Sequence, residues 1–198
     1  MSDDWPVDLR GVTESIVTTR GPEGMYNVAA LGLHAGDPVT ARTWGRTRTR
    51  LNFEREGEGY VQFTRDPVDF VEAALTVREI DDGVLDTADA WARVAAERRE
   101  EGTQGGTEWI DWELRLRKTG IEQRVVPTIN RGHAAVIEAT VAASRLDVEA
   151  YDDDRLRGRL AYFMDVIERC GGERERAALE RLRSVVELPT EDLRSESF

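Results

Sequence analysis

Between Asp37 and Glu54 the chain carries no acidic residue, and into that interval it places Arg42, Arg46, Arg48 and Arg50 together with Thr40, Thr43, Thr47 and Thr49. The centre of the stretch reads RTWGRTRTRLN, residues 42–52. A guanidinium presents paired donors that match phosphate or carboxylate, and a threonine hydroxyl adds a short hydrogen bond. A helix starting inside the segment would bring Thr47, Thr49 and Asn52 within one or two turns of each other. Its free first-turn amides would then complete an anion cradle. The competing reading pairs these arginines with surface carboxylates, of which the chain has many.

Other chemistry finds little support. His34 falls in a loop and His133 near a helix start, with no CxxC, HExxH or calcium-loop spacing around either. Cys170 sits near a helix C-terminus, the end that does not activate a thiol, and reads as packing. No GxSxG occurs, and the glycines of GTQGG lack the Lys-Ser/Thr ending of a phosphate-binding loop.

The chain of 198 residues has 39 acidic against 27 basic residues, a net charge of -12, and Lys118 is its only lysine. Such a balance resembles the proteins of salt-loving archaea, whose dense carboxylates hold water while salt screens their repulsion. A GC-rich genome, which favours Arg over Lys, is the alternative. Either way a nucleic-acid partner is not expected, because a phosphate backbone demands a positive face. No apolar run is long enough for a membrane span. The N-terminal MSDDWPVDLRG is acidic where a secretory signal would be basic and then apolar, and the lone Cys170 suits a reducing interior. The expected location is the cytoplasm.

Stepping along the chain, ESIVTTR (14–20), the turn GPEG and MYNVAALGL (25–33) predict a hairpin, with VTARTW (39–44) as a third strand. GRTRTRLNFEREG reads as a loop entering a short helix, and GYVQFT (59–64) as a strand. Asp66 followed by Pro67 starts a helix, PVDFVEAAL, with Phe70, Val71, Ala74 and Leu75 on its apolar side. TVREI suggests a strand. DTADAWARVAAERREEGTQGGTE suggests a helix and a mobile loop. WIDWELRLRKT (109–119) alternates strictly and predicts a half-buried strand, with EQRVVPTI (122–129) as its hairpin partner. Three helices are expected after Asn130. The first carries a stripe of Ala134, Ile137 and Val141, the second a side of Leu156, Leu160, Phe163 and Ile167 ending at Gly171, and the third is ERERAALERLRSVVEL. The tail PTEDLRSESF is expected to fray.

The segments TTRGPEGMYNVAALGL, RTWGRTRTRLN and GYVQFTRDPVDFVEAAL, in that order, resemble the FMN-binding split barrel of flavin-reductase-like proteins. More closely they are similar to an archaeal family of uncharacterised function with that fold, and NRGHAAVIEATVAASRL resembles its C-terminal helical portion. The likeness spans roughly residues 12 to 150, carried by the order of short motifs, and leaves 87–107 unexplained. It implies a β-rich α+β chain: a six-stranded antiparallel split barrel of FMN-binding type over residues 1–130, and a C-terminal helical subdomain over 131–198. It also implies a homodimer with one FMN in each groove between subunits. By the same resemblance Asn27, Ala29 and Ala30 would lie along the flavin ring, while Thr47, Arg48, Thr49 and Asn52 would hold the phosphate and ribityl chain. Arg46, Asn130 and Arg131 are weaker candidates. Taken without the resemblance, Asn27 reads as a strand residue flanking a turn and the alanines as core packing.

One departure stands out. Flavin reductases of this fold commonly carry a serine-rich stretch where this chain has NVAALG, so hydroxyls near the reactive flavin edge are missing. Three readings stay open: an FMN-dependent oxidoreductase, a non-catalytic FMN-binding carrier or sensor, and a structural or interaction barrel that holds no ligand.

Overall fold

The structure, a computed structural model, describes residues 4–186; the expected fraying tail lies outside the described residues. Twelve elements follow one another: β1 (Val12–Arg20), β2 (Tyr26–His34), β3 (Thr40–Trp44), α1 (Arg48–Glu56), β4 (Glu58–Thr64), α2 (Pro67–Leu75), β5 (Arg78–Ile80), β6 (Ala88–Gln104), β7 (Thr107–Ile121), α3 (Arg131–Ala143), α4 (Asp153–Cys170) and α5 (Glu173–Val185). They form two compact units, one of residues 4–65 and 77–126, the other of 66–76 and 127–186.

In the first unit the strands run β1-β4-β6-β7-β3-β2, and β1 pairs with β2 to close a six-stranded antiparallel barrel. β5 adds an extra strand on β2. The inward residues follow the period-two alternation of a half-buried strand: Val17, Leu31, Leu33, Ala41, Val61, Ala92, Val94, Ile110, Trp112 and Leu114 fill the interior. α1 plugs this interior with Phe53, whose ring lies 5.2 Å from Trp112. The Trp112 indole N–H donates to Thr43 Oγ1 at 2.9 Å, so the largest core side chain leaves no orphaned donor. Gly59 lets α1 and β1 come this close, since a Cβ there would stand 2.9 Å from the Thr18 carbonyl and 3.1 Å from the Phe53 ring.

The sequence expectation of a helix and loop between 86 and 108 is overturned. Residues 88–104 are strand β6, and from Ala88 to Ala96 every second residue is buried. Alanine, arginine and glutamate favour a helix, but the alanines alternate with larger polar residues, and pairing to β4 and β7 overrides propensity. β7 therefore takes β6 as its hairpin partner, not 122–129, which forms no strand. The turn is Gly105-Gly106, with φ of 55° and 78°. Positive φ at both loop positions is the type I′ hairpin turn, whose twist matches the strands and which explains the paired glycines.

The second unit is helical. α2 is capped by Asp66, which accepts from the Val68 and Asp69 amides, with Pro67 beginning the helix. Val71 of α2 joins Ala135, Val136, Ala139, Leu156, Leu160, Met164, Ile167, Leu179 and Leu182 in one core. The expected stripe on α3 is displaced. Ala135, Val136, Ala139 and Ala142 are buried, whereas Ala134 is exposed and Ile137 and Val141 are half-buried. Small residues win that face because the backbones approach closely: a Cβ on Gly132 would lie 2.5 Å from the Gly171 Cα. On α4, Met164 is buried and Phe163 only half-buried, while Leu156, Leu160 and Ile167 face inward as expected.

Candidate functional site

α1 begins where the arginine and threonine stretch predicts a helix start. Thr47 is its N-cap and accepts from the Arg50 amide at 3.2 Å, and no acidic residue occupies the first turn. The Arg48 and Thr49 amides have no partner inside the helix, which leaves the positive end of α1 undisguised.

Register places a row of side chains beneath this helix. Thr19 of β1 stands opposite Asn27 of β2, and Asn27 stands opposite Glu79 of β5. Residues directly opposite in antiparallel strands share a face, so the three lie side by side across roughly 10 Å of sheet. α1 is fastened at both ends of the row. The Asn52 amide donates to Thr19 Oγ1 at 3.0 Å and to the Thr19 carbonyl at 3.2 Å, and Asn52 Oδ1 accepts from Arg55 at 3.1 Å. Four residues earlier, on the same side of the helix, Arg48 Nη1 donates to Glu79 Oε1 at 2.9 Å.

Asn27, at the middle of the row, makes no side-chain hydrogen bond among the described residues although it is only 5 % exposed. The Thr49 hydroxyl, on the α1 side that carries Asn52 and Phe53, is equally buried and also makes none. Among the described residues, the fully buried side-chain nitrogens and oxygens without a hydrogen-bond partner are Arg93 Nε and Arg181 Nε. The polar atoms of Asn27 and Thr49 therefore keep a small opening to solvent while the rest of each residue is covered. Unmet hydrogen-bonding capacity in nearly buried side chains is uncommon and fits a ligand's polar edge.

The four arginines of the stretch have separate fates. Arg42 is gripped by Asp111 through two bonds of 2.6 and 2.7 Å and lies 3.9 Å over the Trp109 ring. Those bonds hold the Asp111 carboxyl below the usual carboxylate range, against the opposing effect of burial. Arg50 reaches Glu108 at 3.0 Å and Glu54 at 3.2 Å. Arg48 pairs with Glu79 in the open, the side chains 53 % and 44 % exposed. Arg46 is exposed and has no hydrogen bond or ion pair among the described residues. The carboxylate-pairing reading thus holds for Arg42, for Arg50 and, in the open, for Arg48.

Thr47, Arg48, Thr49 and Asn52 share α1 and its cap, and Asn27 enters through Thr19 and Glu79. Ala29 and Ala30 follow on β2 but point to opposite faces: Ala29 packs against the barrel core, and Ala30 stands opposite Ile16. Asn130 caps α3, accepting from the Gly132 and His133 amides, and Arg131 opens that helix. Thr19 and Glu79 escaped the sequence reading because neither is near the arginines in the chain, and only strand register joins them. No cluster of three or more metal-ligating side chains exists among the described residues, and none of their helices is long and apolar enough to cross a membrane.

Family models described as "Protein of unknown function (DUF447) N-terminal domain" and "Protein of unknown function (DUF447)" match residues 13–123 and 130–184. No curated protein matches the chain in sequence. Among solved structures, the FMN-bound DUF447 protein from Methanosarcina mazei is similar over 90 % of this chain and 96 % of its own, with 23 % identity and a TM-score of 0.78. The flavin reductase of styrene monooxygenase from Pseudomonas putida is similar over 59 % and 93 % (13 % identity, TM-score 0.42). An FMN-binding protein from Thermus thermophilus is similar over 62 % and 79 % (16 % identity, TM-score 0.41). The first of these likenesses identifies the fold as the split barrel with C-terminal helices.

Proposed function

This chain belongs to the DUF447 family, and we propose that it is a cytoplasmic FMN-binding flavoprotein whose barrel unit holds the cofactor at the N-terminal end of α1. The observation that carries this reading is the pair of nearly buried, unpartnered polar side chains, Asn27 and Thr49, beside a helix start with free amides and no acidic residue. The FMN bound by the Methanosarcina mazei protein, which shares the fold, supports the choice of ligand.

Thr47, Arg48 and Thr49 hold the phosphate, using hydroxyls, a guanidinium and the first amides of α1. Arg46 is a further cation within reach of the same helix start. Asn52 keeps α1 seated on β1 through Thr19 and orients these donors toward the ribityl chain. Asn27 offers its amide to a polar edge of the flavin, and the lack of a bulky side chain on either face of β2 at Ala29 and Ala30 lets its backbone approach the ring. FMN, when bound, supplies hydride chemistry; the protein contributes orientation and exclusion of water. Two copies of the chain form a homodimer with a flavin between them, because a flat ring covers its faces better between two surfaces than on one.

The test is a visible absorption spectrum of protein loaded with FMN and then desalted. A retained flavin band that is lost in the triple variant Thr47→Ala, Arg48→Ala, Thr49→Ala supports the site. A wild-type protein that retains no flavin under any loading condition ends it.

A carrier or sensor role is the second reading, favoured by one observation. From Asn27 to Gly32 the chain has no serine or threonine to bond the reactive flavin edge. Rapid reduction of the bound flavin by NADH or NADPH would exclude it and establish an oxidoreductase.

A further inference from the structure

At the start of α1 the Arg48 and Thr49 amides and the Thr49 hydroxyl are free, whereas the Arg48 guanidinium is held, and what holds it is a carboxylate inside the proposed site. Glu79 lies opposite Asn27 in the β2–β5 register, and its side-chain bond is to Arg48 at 2.9 Å. β5 is three residues long, and Glu79 is the exposed one. An anion arriving at Thr47, Thr49 and Asn27 therefore meets an Arg48 already paired and a negative charge about one strand spacing from Asn27.

We infer that Glu79 is an internal competitor for Arg48, which keeps the Arg48 charge neutralised when the site is empty and makes FMN an exchangeable ligand rather than a permanently seated one. The inference rests on the FMN reading above. Both partners are about half exposed, so the pair is weak enough for a phosphate dianion to displace. Displacement needs only that the long Arg48 side chain turn from Glu79 toward the helix start, with no backbone rearrangement. Binding is then reduced by the share of molecules in which Arg48 is engaged. The freed carboxylate adds repulsion toward the phosphate. Riboflavin, which has no phosphate, escapes both effects.

Glu79→Gln keeps the shape of the side chain and removes its charge. Titrations of flavin fluorescence quenching should show FMN binding about tenfold tighter in Glu79→Gln than in the wild type. Riboflavin binding should stay unchanged. In an Arg48→Ala background the same substitution should gain much less, because the contested cation is gone, and this coupling separates competition from a general loss of negative charge. Equal FMN affinity in wild type and Glu79→Gln overturns the competitor role and leaves the flavin reading intact. Inorganic phosphate supplies an independent arm through the thermal midpoint. If neither protein binds FMN but phosphate raises the midpoint of Glu79→Gln more than that of the wild type, the competitor role stands and the flavin reading falls. Equal phosphate stabilisation of both proteins, with no FMN binding, overturns both.

Discussion

Arg42 and Arg48 come from one short acid-free stretch, yet they belong to regions with opposite character. On the outer face of β3 and β7, Arg42 is fixed by two bonds to Asp111 and stacked on Trp109. At the start of α1, Arg48 makes a single exposed bond to Glu79, beside Asn27 and Thr49, whose side chains make no hydrogen bond among the described residues. The first arrangement holds its guanidinium against both a carboxylate and a ring and stabilises the barrel. The second leaves capacity unfilled and suits a ligand. Arginine content alone does not distinguish them; the register of the strands and the carboxylates it delivers do.

The sharpest way to break this contrast is to remove what seats α1. Phe53→Ala should cost about 3–5 kcal/mol in urea unfolding, since the ring is buried against Trp112 in the barrel interior. Flavin retention should fall with it, because the whole helix start would lose its position. A variant that kept full stability would show that α1 is not tied to the core.

Exchanging the two arginines for alanine tests the comparison itself. Arg42→Ala should destabilise by about 1–3 kcal/mol, because it leaves Asp111 partly buried without its partner and uncovers Trp109. Arg48→Ala should cost at most about 1 kcal/mol, as exposed ion pairs do. FMN affinity should rank the other way, with the larger loss in Arg48→Ala. The same order in stability and in binding would erase the distinction between a fixed and an available guanidinium.

pH offers a smaller effect with a definite sign. The Asp111 carboxyl is lowered by its bonds to Arg42. Its stabilisation is therefore complete above the unfolded carboxylate value of about 4, and is lost as pH falls through the lower folded value. Urea midpoints followed from pH 5 downward should show this loss in the wild type and less of it in Arg42→Ala. Identical pH profiles would mean that Asp111 does not depend on Arg42.

The mildest expected effect concerns salt. With 39 acidic residues against 27 basic, two copies of the chain repel each other when screening is withdrawn. Sedimentation across a salt series, with flavin fluorescence followed in parallel, should show dimer and FMN lost together as salt falls. A monomer that keeps tight flavin at low salt would detach the site from the interface.

Much of the barrel was legible because its strands alternate and its turns carry their own chemistry. WIDWELRLR declares a buried face every second residue, ESIVTTR and YNVAALGL are strand-forming runs on either side of the GPEG turn, and Asp66-Pro67 declares a helix start. β6 was not legible. Its alanines, arginines and glutamates prefer a helix locally, and only β4 on one side and β7 on the other turn that preference into a strand. α3 misled for a related reason: an alanine-rich helix has little contrast between its sides, so close backbone approach at Gly132 and Gly171 chose the buried one.

The sequence by itself determined the residue types at the candidate site, a short helix beginning somewhere within GRTRTRLNFEREG, and the absence of acidic residues between Asp37 and Glu54, because capping and charge act over a few neighbouring residues. Tertiary structure decided which of those residues are free. Thr19, Asn27 and Glu79 are neighbours only through antiparallel register across β1, β2 and β5, and Asp111 reaches Arg42 only because β7 lies beside β3. Availability of a polar group depends on every partner within hydrogen-bond reach, and in a barrel those partners come from distant parts of the chain.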